Sequence, residues 1–344
     1  MLKWYEETDS KRPGIIGSRV RLVRNCQDTP FPEKLSEKEG GEMVHKLKFG
    51  LKDLGEAEGC HLEFSMLNDL EDLDRAALHE RRVLNSSLSE RKSPCGLFLS
   101  DSEDTAIVLG GDDHIRIQIL GPGLQLESLL ERADLIDDYI NERFSYAFDD
   151  KYGYLTAFPT NVGTGLRASV VVHLPMLSMG KKFSSLINEM SRFGAVIRGV
   201  YGEGEENFGS LFEVCNQKTL GQTEREILET VSKAAIQLTN QEMQVRKLSL
   251  QRHRLEREDE VYKSYGVLKY ARRLTFRDTM IFLSQIMAGI TDGLISAKED
   301  ISIYRLMLGI QPANLKKLSK RPLNKEELDG ARAEFIRREL PELE

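Results

Sequence analysis

Residues Val108 to Gln118 read VLGGDDHIRIQ, and the reading of this stretch decides what kind of fold the chain adopts. Ile115, Ile117 and Ile119 alternate with Arg116 and Gln118, the period-two pattern of a strand with one buried face. Ala106 to Leu109 reads as a second strand on the other side of Gly110-Gly111-Asp112-Asp113. The segment is therefore a hairpin whose loop either only supplies positive φ and turn-forming carboxylates, or also carries part of a functional site.

Working outward, the chain of 344 residues is long enough for two domains or one large one, with 40% apolar and 30% charged residues. No apolar run approaches the roughly 20 residues that span a bilayer, and MLKWYEETDSKR lacks the apolar centre of a signal peptide, so a cytoplasmic location without membrane contact is expected. The net charge of −7 argues against nucleic acid as a partner, because phosphate-backbone binding requires a basic excess. One basic stretch, VRKLSLQRHRLER from Val245 to Arg257, reads as the solvated face of a helix or as a docking face. Cys26, Cys60, Cys95 and Cys215 form no CxxC pair, so neither a disulfide framework nor a metal site is expected, and they read as buried small residues.

Proline marks a change of regime. Seven prolines fall between Pro13 and Pro175, and the next is Pro312, which leaves the intervening segment free to form long helices. Before Gly221, strands are expected at SRVRLVRN, GLFLSD, TAIVLGG, HIRIQIL, ASVVVHL, AVIRGVYG and SLFEVCNQ, with one amphipathic helix from Leu126 to Phe148. Strands not regularly alternated with helices imply an α+β domain with an antiparallel β-sheet flanked by helices. From Thr223 the period becomes helical. Thr223 and Glu226 have capping-box spacing, and Ile227, Val231, Ala235 and Leu238 continue one apolar stripe. The expected organisation is a catalytic domain over residues 1–221 and an all-α C-terminal domain over residues 222–344.

Arginines recur on the strand-like segments. Arg19 and Arg21 share one face of a strand whose other face carries Val20 and Leu22, Arg116 lies in HIRIQ, Arg167 in NVGTGLRAS, and Arg198 opens RGVYGEG. Each alone fits a solvated surface. Together they suggest convergence on a polyanion, since guanidinium forks bind phosphate oxygens and stay charged. The chain has no GxxxxGK[ST] loop, so a nucleotide would be held without a P-loop. The glycines in NVGTG and GVYGEG either let backbone approach a ligand or make plain turns.

The segments SRVRLVRN (residues 18–25), DDHIRIQ (112–118), FPTNVGTGLRASVVVHLP (158–175) and RGVYGEG (198–204), in this order and spacing, resemble the phosphagen, or ATP:guanidino, kinase family. Within it the chain is similar to the bacterial protein arginine kinase branch, and the likeness continues through KSYGVLKYARRL and ELDGARAEFIRREL. The resemblance implies the glutamine-synthetase-like catalytic fold of guanidino kinases. It implies ATP and Mg2+ as cofactors, with Ser18, Arg19, Val20, Arg21, Arg116, Arg167, Ala168, Ser169, Val170, Val171, Arg198, Gly199, Val200, Tyr201, Gly202 and Glu203 at the nucleotide. Asp112 and Glu203 would be the catalytic carboxylates that orient the acceptor guanidinium and take its proton. Asp329 and Arg332, in LDGARA, would form a weakened allosteric phosphoarginine site, since Leu328 replaces the first arginine of the family's RDxxRA. Implied partners are protein substrates with exposed arginines, among them a stress-response repressor, a zinc-binding activator protein and a Clp-type protease system. A homodimer is left open.

The chain departs from the family's pattern at the chemistry. Gly110-Gly111-Asp112-Asp113-His114 stands where relatives have Asn-Glu-Glu-Asp-His, Phe158 stands for a cysteine, and Val83 lies near a nucleotide-contacting histidine. One methylene fewer withdraws the carboxylate by about 1.5 Å, and a misplacement of about 1 Å costs on the order of a hundredfold in rate. Two functions follow: an ATP-dependent protein arginine kinase of reduced rate, or a catalytically impaired adaptor that binds nucleotide or phosphoarginine proteins. A small-guanidine kinase ranks third, because such kinases resemble one another in a helical lid domain ahead of the SRVR strand, which here begins at Ser18.

Overall fold

The computed structural model describes residues 2–9, 11–201, 207–298, 301–319 and 322–344. Among these residues ten strands occur: β1 Ile15–Arg24, β2 Leu62–Met66, β3 Gly96–Ser100, β4 Thr105–Leu109, β5 Ile115–Pro122, β6 Phe148–Asp149, β7 Gly153–Tyr154, β8 Leu166–His173, β9 Ala195–Gly199 and β10 Leu211–Asn216. Eight of them hydrogen-bond in the order β2-β3-β4-β5-β1-β8-β10-β9, and β6 and β7 form a separate pair. The pairs β2/β3, β3/β4, β4/β5 and β1/β5 are antiparallel. All seven strands expected from the sequence are present.

The chain divides into two compact units, Met1–Trp4, Gly17–Ser169 and Cys215–Ser232 in the first, Tyr5–Ile16, Val170–Val214 and Lys233–Glu344 in the second. The first contains helices α1 Glu37–Gly50, α2 Leu54–Ala57, α3 Asp72–Glu80, α4 Ser86–Ser89 and α5 Leu126–Asn141. Its core follows from strand alternation. Val20 lies opposite Ile119 and Leu22 opposite Ile117, and all four are fully buried on one face of the sheet. Leu126, Leu129, Ala133, Ile136 and Ile140, at helical spacing on α5, are buried with them. Each such Leu or Ile contributes about 1.5–3 kcal/mol. Arg24 enters the same face opposite Ile115, where Asp137 of α5 accepts from its Nε at 3.0 Å and its Nη2 at 2.8 Å.

The amphipathic helix ends at Asn141, seven residues before the expected Phe148. Arg143 and Phe144 donate back to the Ile140 carbonyl in a closing turn, and Tyr146 then bridges to Cys26 in extended form. Sheet pairing overrides the apolar period there. Strand β2, flanked by short helices, is an element the sequence pattern did not reveal.

In the second unit, helix α6 Phe183–Arg192 accompanies β9, and α8 Phe276–Thr291, α9 Ile303–Gly309, α10 Pro312–Leu318 and α11 Lys325–Glu339 follow the long helix α7 Glu224–Tyr270, whose residues up to Ser232 count with the first unit. Every named element after Asn216 is a helix, as expected. Thr223 Oγ1 accepts from the Glu226 N–H at 3.2 Å and Glu226 accepts from the Thr223 N–H at 2.8 Å, so the capping box forms. Ile227, Val231, Ala235 and Leu238 are all buried. Helix α7 breaks at His253 (φ −137°, ψ 39°), within the basic stretch. Of that stretch Arg246 is buried rather than solvated, its Nη2 2.8 Å from Asp292, while residues 251–256 are exposed. No described helix is long and apolar enough to cross a membrane. Cys95 is buried, the other three cysteines are half-buried, and all four are free thiols.

Candidate active site

The loop quoted at the outset is a five-residue hairpin connection. Gly110 N–H donates to the His114 carbonyl at 2.9 Å, and Leu109 faces Ile115. Gly110 has φ +72°, and a Cβ there would lie 2.7 Å from Val44 Cγ2, so both conformation and space require glycine. This geometry sends the three polar residues in different directions. Asp113 is buried, its Oδ1 accepting from Asn25 Nδ2 and the Ala157 N–H, each at 2.7 Å, and burial raises its pKa. His114 is fully buried: its Nδ1 accepts from the Cys26 N–H and its Nε2 donates to the Pro30 carbonyl, each at 3.0 Å. That tautomer is the neutral ring, and burial lowers its pKa. Asp113 and His114 thus build the scaffold. Asp112 and Asp113 both line a cavity of about 160 Å³, Asp113 with its Oδ1 already taken by Asn25 and Ala157.

That cavity, within the first unit, is also lined by Arg21, Arg116, Arg167, Asn161 and Phe158. The β1/β5 register explains the assembly. Arg21 lies opposite Gln118 and Val23 opposite Arg116, so the arginines share the face that the isoleucines leave. Arg116 is buried; its Nη2 donates to Gln118 Oε1 at 2.7 Å, whereas its Nε has no hydrogen-bond partner among the described residues. Burial lowers the Arg116 pKa far below the usual guanidinium range, and the nearby charges of Arg21 and Arg19 lower it further, against an opposite pull from Asp112. The guanidiniums of Arg21 and Arg19 are therefore close enough to repel that of Arg116, and Asp112 is close enough to attract it.

Arg167 begins β8. Its Nε donates to Asn161 Oδ1 at 3.2 Å and its Nη1 to the Asn216 carbonyl, while Asn216 Oδ1 accepts from the Ala168 N–H at 3.0 Å. The glycines of NVGTG serve close approach of backbone: a Cβ on Gly165 (φ +67°) would lie 2.6 Å from Arg24 Nη1 and 2.7 Å from the Val23 carbonyl.

The other expected positions are not among the residues lining this cavity. Ser18 and Val20 face away from the arginines: Val20 is core, and Ser18 Oγ donates to the Gly123 carbonyl at 2.6 Å and accepts from the Gln125 N–H. Ala168 is core, and Ser169 Oγ is buried with no hydrogen-bond partner among the described residues. Val170, Val171, Arg198, Gly199, Val200 and Tyr201 belong to the second unit, where Arg198 is exposed at the end of β9. Gly202 and Glu203 lie outside the described residues. In α11, Arg332 and Asp329 are buried and paired, Nη1 to Oδ1 at 2.8 Å, and Arg332 also donates to the carbonyls of Leu274 (2.8 Å) and Ile310 (3.2 Å). Val83 is packed in an apolar cluster with Leu67, Leu88 and Val108.

Four contributors went unsignalled in the sequence reading. Asn161 and Asn216 lie in a loop and a strand whose patterns do not mark an asparagine as a partner of Arg167 or Ala168. Gln118 shares the face of Arg116 by strand period, but the period does not single it out as the acceptor of the Arg116 guanidinium. Arg91, whose Nη1 donates to Asp112 Oδ1 at 3.2 Å, gives no sequence signal.

A polar cavity lined by converging guanidiniums and by the Asp112 and Asp113 carboxylates suits a polyanion and a cationic acceptor, which is phosphotransferase chemistry. Residues 42–245 match the family model of the ATP:guanido phosphotransferase C-terminal catalytic domain, and residues 254–344 match that of the protein-arginine kinase McsB C-terminal domain. The chain belongs to the ATP:guanido phosphotransferase family, and the family uses ATP.

Curated relatives named protein-arginine kinase include those of Desulforamulus reducens, 39% identical over 99% of this chain and 96% of that one, and Bacillus subtilis, 36% identical over 98% and 93%. Among solved structures, the substrate-free duplicated taurocyamine kinase of Schistosoma mansoni is similar at TM-score 0.58 and 26% identity, over 69% of this chain and 34% of that one. Lombricine kinase shares the fold at TM-score 0.57 and 22% identity, over 70% and 69%. A non-catalytic adaptor gains no support from these comparisons.

Proposed function

We propose that the chain transfers the γ-phosphoryl group of ATP to arginine side chains of proteins. The observation that carries this reading is Arg116, a buried guanidinium with an unmatched N–H, held in the repulsive field of Arg19 and Arg21 beside Asp112. Such a cluster is costly to keep out of water unless a polyanion matches it. A triphosphate does so, and the same groups then stabilise charge on the phosphoryl group in flight.

In this reading Arg19, Arg21, Arg116 and Arg167, with Arg198, hold the phosphates, and the partnerless Ser169 hydroxyl turns to the nucleotide. Magnesium, when bound with the nucleotide, would offset charge on its phosphates. Among the described residues no cluster of three or more His, Cys, Asp or Glu side chains is placed to hold a metal, so phosphate oxygens and water would be its main ligands. Asp112 accepts hydrogen bonds from the acceptor guanidinium and aligns one nitrogen with the γ-phosphorus. As the N–P bond forms, the bond from γ-phosphorus to the bridging oxygen breaks and its electron pair leaves with ADP. The guanidinium proton passes to Asp112 and then to water. Glu203 is proposed as a second carboxylate. Phe158, 47% exposed at the cavity, offers an aromatic face to the incoming cation.

The protein-bound acceptor is supported by the kinship of the C-terminal helices with those of protein-arginine kinases. A zinc-binding activator and a Clp-type protease are proposed as partners on the same kinship. The test is incubation with ATP, magnesium and either an arginine-rich protein or free arginine, followed by assay of acid-labile phosphate. Label on the protein alone is expected. Label on free arginine alone would make this a small-guanidine kinase, and label on neither would leave a binding protein.

A further inference from the structure

Asp112 is one methylene shorter than the glutamate that the family resemblance leads one to expect, so its reach depends on how firmly it is aimed. Two donors converge on one of its oxygens: Arg91 Nη1 and Ser87 Oγ each reach Oδ1 at 3.2 Å. Among the described residues Oδ2 accepts no hydrogen bond. The carboxylate is thus anchored on one side and open on the other.

Arg91 is itself held. Its Nε donates to Ser93 Oγ at 2.8 Å, and its backbone carbonyl accepts from Arg75 Nη1 at 3.0 Å. Its side chain is largely buried, as is that of Asp112. A guanidinium fixed at both ends, in a pair mostly shielded from water, keeps its geometry where an exposed ion pair would not.

We infer that Arg91 is a positioning residue for phosphoryl transfer: with Ser87 it pins Asp112 Oδ1, so that Oδ2 meets the acceptor guanidinium despite the short side chain. The inference rests on the proposed kinase reading. Arg91 is also a cation near a cationic acceptor, so its removal would not weaken ground-state attraction of that acceptor. The loss must then appear in kcat rather than in KM.

The experiment measures kcat and acceptor KM for arginine phosphorylation of a protein substrate by the full chain and its variants. Arg91→Ala is expected to lower kcat by about tenfold to a hundredfold, with acceptor KM unchanged or lower, and Arg91→Lys to recover part of the loss. The Arg91→Ala loss should shrink in an Asp112→Glu background, where the longer side chain no longer depends on the anchor. An unchanged kcat, a loss confined to KM, or an equal loss in both backgrounds would overturn the inference. Should Arg91→Ala fail to fold, Arg91→Lys and Ser87→Ala decide, and full kcat in both would overturn it. Asp112→Asn separates the two levels. If it abolishes transfer while Arg91→Ala does not, the kinase reading stands and the positioning role falls; if it leaves transfer intact, both fall.

Discussion

Asn25 Nδ2 donates to Asp113 Oδ1 at 2.7 Å, tying the end of β1 to the hairpin loop that carries Asp112. The same oxygen satisfies the Ala157 N–H, so one buried carboxylate joins three segments around the cavity. Burial raises its pKa, which means the fold disfavours the ionised form. Asp113→Asn keeps the accepting oxygen and removes the buried charge. It should fold with a denaturation midpoint equal to or above that of the parent, whereas Asp113→Ala should cost about 1–3 kcal/mol by orphaning a buried donor. Urea titration of the three proteins measures both.

The Arg24–Asp137 pair is buried, and Tyr146 OH also donates to Asp137 Oδ1 at 2.9 Å. The Tyr154 ring lies 3.6 Å from the Arg24 guanidinium carbon. Asp137→Ala leaves a buried guanidinium without its counter-charge and should destabilise by about 3–5 kcal/mol. Arg24→Met combined with Asp137→Leu should recover most of that loss, as read from thermal or urea unfolding of the single and double variants.

Arg116 is expected to act in nucleotide binding and transfer rather than in stability. Arg116→Ala should lower kcat/KM for ATP by about a hundredfold or more, and Arg116→Lys should rescue little of it, because an ammonium lacks the planar fork. Steady-state kinetics with varied ATP, alongside unfolding curves that barely move, would bear this out.

His173 gives a pH signature. It is fully buried, its Nε2 lies 2.7 Å from Ser284 Oγ, and burial, aided by Arg246, lowers its pKa to about 3. The folded pKa lies below the unfolded value near 6.5, so this contribution is complete above about pH 6.5 and is lost as pH falls toward 3, with a slope of up to about 1.4 kcal/mol per pH unit. Stability of the parent minus that of His173→Gln, followed from pH 7 to 4, should fall with that sign; a flat difference would contradict it.

Strand positions were legible because alternation is local: Ile115, Ile117 and Ile119 against Arg116 and Gln118 state which face is buried and which is charged. The same logic placed Arg19 and Arg21 opposite Val20 and Leu22. It could not say that Arg24, one period further on the apolar side, is buried, since that depends on Asp137 in a helix more than a hundred residues away. Nor could it separate Asp112 from Asp113, because their different fates arise from the turn geometry at Gly110 and from Asn25. Arg91 was invisible for the same reason, its role being set by a contact across 21 residues of irregular chain and strand.

The central claim is that the arginine face and Asp112 together move a phosphoryl group onto arginine. Single-turnover transfer from ATP to a protein acceptor, with the modified residue located by mass spectrometry under non-acidic conditions, tests it most directly. Phosphoarginine formed by the parent chain, and reduced at least a hundredfold by Asp112→Asn while ATP still binds, is the predicted result. ATP binding with no phosphoarginine from the parent, or equal transfer by Asp112→Asn, would contradict it.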